Sequence, residues 1–101
     1  MKIKDFINEM CKFTDIDEDN FLLTDILENA IDCAIDEMDY YETESKYALI
    51  SPEWKEEYET YQSTLQDFSK MIKICKSLLI KLRHSKFNRF TLKEFKTQYP
   101  N

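Results

Sequence analysis

The sequence predicts an all-α fold, a small four-helix bundle built on a long antiparallel helical hairpin, and three observations carry that prediction. Glycine is absent from all 101 residues, where an average usage of about 7% would supply roughly seven. Phosphate-cradling loops, dinucleotide turns and tight type I′ hairpins thereby lose the residue their backbones require. Large apolar side chains recur at Trp54, Tyr58, Tyr61, Leu65, Phe68, Ile72, Cys75, Leu79 and Leu82, in alternating steps of four and three that keep one coiled-coil-like stripe along a helix. Both prolines, Pro52 and Pro100, stand at expected element boundaries. A 43% apolar content suffices for one core, so residues 1–101 are expected to form a single helical domain.

The first helix is expected over 2–12, where Ile3, Phe6, Ile7, Met10 and Cys11 recur at helical spacing. It is too short to persist unpacked. The acidic run Thr14 to Asn20 has the D-x-D-x-D spacing of a calcium loop. Counted from Asp15, however, Asn20 stands where an EF-hand needs glycine and Ile26 where it needs a bidentate glutamate. The run therefore reads as a polar connection in which Asp19 or Asn20 caps the next helix.

That second helix is expected over 21–41. Leu23, Leu27, Ala30, Ile31, Ala34 and Met38 share one face, while Asp25, Glu28, Asp32, Asp36 and Asp39 fall within about 80° of one another on the opposite face. Residues 42–50 show no clear helical period and lead to Ser51-Pro52, so they read as the connection between two antiparallel helices. The third helix is expected over 52–84, with Ser51 capping free amides, Pro52 at the first position and Glu53 at the positive end of the dipole. From Met71 onward, Met71, Ile72, Ile74, Cys75, Leu78, Leu79, Ile80 and Leu82 cover most of its circumference, which places this half at the centre of the bundle with the other three helices around it. Thr91-Leu92-Lys93-Glu94 has the form of a capping box, flanked by Phe90 and Phe95 as a hydrophobic staple, and opens a fourth helix over 92–98 that Tyr99-Pro100-Asn101 ends.

Catalytic chemistry has little to work with. The three cysteines, Cys11, Cys33 and Cys75, are an odd number on apolar faces and read as reduced core residues of a cytoplasmic protein. A zinc site with His84 would need closely spaced ligand pairs that are missing, and no cofactor or metal is expected. Cys75 and His84 lie nine residues apart on one helix and cannot meet there as a nucleophile pair. His84, among Lys81, Arg83 and Lys86, suits the negative end of the helix dipole. Met1 to Lys4 resembles the start of a signal peptide, but Asp5 and Glu9 interrupt the apolar region such a peptide needs. No apolar run reaches the roughly 18 residues of a membrane span.

Charge is the informative feature. Before Tyr61 there are 18 acidic and 5 basic residues, and from Tyr61 onward 2 acidic and 9 basic. In an antiparallel hairpin this lets Asp25 and Glu28 approach Lys73 or Lys76, so part of the asymmetry is complementarity within the bundle. Internal complementarity does not account for Glu28, Asp32 and Asp36, spaced four apart without intervening lysines, because like charges at that spacing cost a helix a few tenths of a kcal/mol per pair. The acidic ridge Asp25, Glu28, Asp32, Asp36 and Asp39 is thus a candidate surface for a basic partner. Tyr40, Tyr41, Tyr47, Trp54, Tyr58 and Tyr61 are expected to gather at the hairpin end, closing the bundle there or forming a second, aromatic contact surface beside acidic Glu42, Glu44, Glu53, Glu56 and Glu57.

These residues favour a non-enzymatic protein-protein interaction module, an acidic inhibitor or adaptor of the kind phages and mobile elements encode, aimed at a basic surface of a nucleic-acid-handling protein. One alternative is self-association through the heptad stripe. Another is nucleic-acid binding through a patch of Lys81, Arg83, Lys86 and Arg89. A compact monomer or weak homodimer, without membrane attachment, is expected.

Overall fold

The computed structural model describes residues 2–17 and 20–98, and in it the chain forms four α-helices: α1 (Ile3–Thr14), α2 (Leu23–Ala48), α3 (Lys55–Arg83) and α4 (Leu92–Gln98). Short 3-10 turns at Pro52–Trp54 and Lys86–Arg89 precede α3 and α4. The all-α hairpin architecture is the one expected.

Each helix stops or starts for a local reason. Asp15 ends α1 in the left-handed region, with φ of 55°, a conformation aspartate tolerates at low cost in a chain without glycine. The Ile16 amide donates to the Cys11 carbonyl at 3.1 Å, and Ile16 packs on the core, which together make a Schellman stop. Asp15 is therefore a helix terminator. Ser51 Oγ accepts from the Glu53 amide at 3.3 Å as expected, but the first turn after it is 3-10. The capping box forms too: Glu94 N donates to Thr91 Oγ1 at 3.1 Å, and Thr91 N to Glu94 Oε1 at 3.3 Å. Phe90 and Phe95 meet through a third ring, each standing edge-on to Phe87 at 5.3 Å.

The start of α2 departs from expectation. Its N-cap is Leu22, and among the described residues no side chain caps it; Asn20 instead donates to the Asp17 carboxylate, while Asp19 lies outside the described residues. The Leu23 amide donates to the Phe90 carbonyl at 2.8 Å, and Leu22 pairs with Thr91 in a single antiparallel bridge. The loop before α4 thus supplies the cap.

The end of α2 also departs. Residues 42–48, read as connection, are helical. The reason lies in the buried face, which runs on as Tyr41, Ser45 and Ala48 at helical spacing but in small or polar side chains that carry little hydrophobic signal. Ser45 and Ala48 are both buried, and Gln62 of α3 donates to Ser45 Oγ at 3.1 Å.

The core sits at one end of the hairpin. Ile7, Met10 and Cys11 of α1, Leu23, Ile26, Leu27 and Ala30 of α2, Cys75, Leu78, Leu79 and Leu82 of α3, and Leu92 of α4 form one buried cluster. The centre of the bundle is the first half of α2, and this corrects the expectation for α3. Leu23, Ile26, Leu27 and Ala30 are fully buried, whereas Ile74 and Ile80 on α3 are 47% and 61% exposed. Helix α1 packs against α2 and α4, and reaches α3 at Phe13, 5.9 Å from Phe68. The outer flank of α3 is left in solvent. Beyond this base, α2 and α3 continue together as a two-helix arm. The molecule is therefore a rod of 53 × 22 × 21 Å with a radius of gyration of 16.4 Å, against about 13 Å for a compact domain of this length.

Candidate functional site

The acidic ridge lies on the face of α2 opposite its buried stripe. Glu28, Asp32, Asp36 and Asp39 are exposed and Asp25 is half-buried. Glu28 pairs with Arg83 at the far end of α3, with oxygen and nitrogen 2.5 Å apart. Neither Lys73 nor Lys76 takes that place: the start of α2 lies beside the last turn of α3, so the register brings Arg83 to Glu28. Among the described residues no cation pairs with Asp32, Asp36 or Asp39. The ridge is thus neutralised at its base end and bare towards the arm.

Followed along the same side of α2, the ridge runs into aromatic residues. Asp32, Asp36, Tyr40, Thr43 and Tyr47 follow one another in steps of four, four, three and four, which keeps them within about 80° on a helix of 3.6 residues per turn. Tyr40 and Tyr47 are 58% and 60% exposed. The Glu44 carboxylate is the main influence that lifts the Tyr40 phenol above its usual range, with desolvation and neighbouring groups adding to it.

The aromatic residues divide into three roles. Tyr41 is half-buried in a ladder of rings along the arm: it lies 5.2 Å from Tyr40, 5.8 Å from Tyr61 and 6.1 Å from Phe68. Tyr47 and Trp54 line an open cleft of about 260 Å³ together with Tyr61, Glu44, Glu57 and Ala48. Tyr58 lines a separate depression with Leu49, Ile50, Pro52 and Lys55. Tyr61 thus joins the ring ladder of Tyr40 and Tyr41 to the cleft of Tyr47 and Trp54, and Tyr58 stands apart from them. The turn itself stays open to solvent, with Leu49, Ile50 and Trp54 64%, 74% and 46% exposed. Leu49 and Ile50 escaped notice because they fell in a stretch read as connection. Glu57 and Tyr61, both expected near the hairpin end, follow Trp54 at i+3 and i+7 and so share its side of the helix.

The basic patch is partly engaged. Lys81, Arg83, Lys86 and Arg89 are all exposed, but Arg83 is paired with Glu28 and Lys86 Nζ stands 5.3 Å from the centre of the Phe87 ring. Lys96 ties α4 to α1 by donating to Asn8 Oδ1 at 3.2 Å.

Among the described residues Cys11, Cys33 and Cys75 form no disulfide. Burial pushes the Cys75 thiol up to about 11, which holds it protonated at neutral pH. His84 is exposed just beyond α3. Among the described residues, no three histidine, cysteine or acidic side chains converge into a set that could hold a metal ion, and no helix is long and apolar enough to cross a membrane.

Fold and surface together define a helical-hairpin protein with a packed base and an acidic, aromatic arm. Compared with known proteins, the chain matches no family model, no curated protein and no solved structure.

Proposed function

We propose that the protein is a non-enzymatic binding module, an inhibitor or adaptor whose acidic and aromatic arm engages a basic surface of another protein. The observation that carries this reading is the continuity of the α2 face, on which the unpaired Asp32 and Asp36 lead into the exposed rings of Tyr40 and Tyr47. Carboxylates steer a basic partner over distance, and tyrosine and tryptophan supply contact area once it arrives. A nucleic-acid-handling protein, whose working surface is positively charged, is the partner class that fits best. Cysteines outside any disulfide suit a reducing cytoplasm as the place where this happens.

The test is capture from an extract of the native host, identification by mass spectrometry, and kinetics with the purified partner. Reversing Asp32 and Asp36 to lysine is expected to leave the helical circular dichroism spectrum intact, since both side chains are exposed and a lysine four residues after Glu28 forms a favourable pair with it. Association should slow, and the difference from the parent should shrink as salt rises. Equal binding by parent and variant at low salt would sink the reading.

A further inference from the structure

The cleft between the end of α2 and the start of α3 has the composition of a cation receptor. Glu44, Tyr47 and Ala48 come from one side, at i, i+3 and i+4, and Trp54, Glu57 and Tyr61 from the other, at i, i+3 and i+7. Each helix thereby presents a carboxylate and at least one ring to the same space. Ala48 is buried at 6% exposure; being small, it leaves open a space that a larger side chain there would fill. Ser45, fixed by Gln62, and Tyr61, 5.8 Å from Tyr41, hold the two walls in register.

We propose that this cleft receives a single cationic side chain, lysine or arginine, of the partner protein. The inference rests on the partner-binding reading above and names the anchor that reading lacks. A ring face attracts a cation through its quadrupole, and a carboxylate adds a charge-assisted hydrogen bond. Three rings and two carboxylates lining one opening offer both. Glu44 is half-buried, and no cation among the described residues pairs with it, so an incoming cation would meet a carboxylate already partly stripped of water. At about 260 Å³ the space is smaller than the roughly 300–1,000 Å³ of ordinary small-molecule sites, which suits one side chain better than a larger ligand.

The experiment titrates the intact protein at constant ionic strength with n-butylguanidinium and n-butylammonium chloride, mimics of arginine and lysine, and with neutral n-butylurea. Trp54 is the chain's single tryptophan, so its fluorescence reads the cleft directly. Saturation by at least one cation is expected, with a midpoint on the order of 1–10 mM. The stronger of the two cations tells whether the anchor is arginine or lysine. Changing Glu44 and Glu57 together to glutamine should weaken that binding by about fivefold or more at unchanged helicity. Tyr47→Ala, at an exposed position, should also weaken it, while Asp32→Lys with Asp36→Lys should not. Absence of saturation, an equal response to butylurea, or parent-like binding by the glutamine variant would overturn the proposal. The titration needs no partner, so a silent cleft would leave a positive capture result standing, and a failed capture would leave a responsive cleft standing.

Discussion

Leu27 and Tyr41 lie about four turns apart on one face of α2, yet the first is fully buried and the second half-buried. Both face α3. What differs is the third neighbour. At Leu27 the helices α1 and α4 close the space that two helices alone leave open, so apolar area is removed from water on every side. At Tyr41 only α3 and neighbouring rings are present, and between Lys55 and Ile74 no residue of α3 is fully buried. Two helices pack along one line, and both keep a wet flank. The base therefore supplies stability, and the arm uses side chains that accept half-burial: tyrosine, tryptophan, and the buried Ser45 with its hydrogen bond from Gln62.

This contrast can be broken most directly by cutting equal side chains at the two ends. Leu27→Ala is expected to lower unfolding free energy by about 2–5 kcal/mol, since the cavity is enclosed. Leu65→Ala, at a half-buried position of the arm, should cost less than half as much because water fills the gap. Urea unfolding followed by circular dichroism measures both, and amide exchange should show the arm opening without the base. Equal losses at the two positions would mean that the arm is as well packed as the base.

A smaller effect sharpens the description of the base through its buried thiol. Burial lifts the Cys75 thiol from its ordinary 9.0 to about 11 in the folded chain. The folded state therefore holds its proton more tightly. The associated stability is complete below about pH 9 and falls as pH rises towards 11. The loss of stability between pH 9 and 11 should be shallower in Cys75→Ala than in the parent. Thermal unfolding across that range measures it, and parallel curves would show that Cys75 is not sealed in.

The smallest expected effect concerns the junction of acidic and basic surfaces. Glu28 and Arg83 are each about half exposed, with side-chain exposures of 48% and 55%. A double-mutant cycle with Glu28→Gln and Arg83→Gln should return about 0.2–1 kcal/mol, decreasing with salt. A coupling well above that range would make the pair a structural clamp between α2 and α3.

Much of the fold was legible in the chain. The capping box of Thr91 to Glu94 formed as read, and Ser51 caps as read although the turn it opens is 3-10; both rest on contacts within four residues. The exposure of the acidic ridge followed from the 3.6-residue period alone. The last two turns of α2 were missed because a helical face written as Tyr41, Ser45 and Ala48 is held by fit to α3 and by one hydrogen bond from Gln62, neither of which shows as hydrophobicity. The rings and carboxylates of the tip cleft were all legible as residues of the hairpin end, but not Ala48 or the shared space between them, since the two rows belong to different helices.

What the sequence by itself determined is therefore the set of helices with local caps, the side of α2 that faces water, and the separation of charge along the chain. Tertiary structure alone decided which helix is central. The apolar run on α3 from Met71 to Leu82 has the larger side chains, but burial depends on how many neighbours arrive. The pairing of Leu22 with Thr91, and of Leu23 with the Phe90 carbonyl, draws the start of α4 onto α2. With α1 on the same helix, Ile74 and Ile80 are left facing water. Hydrophobic attraction has no direction, so a residue's own character cannot say which partner will cover it.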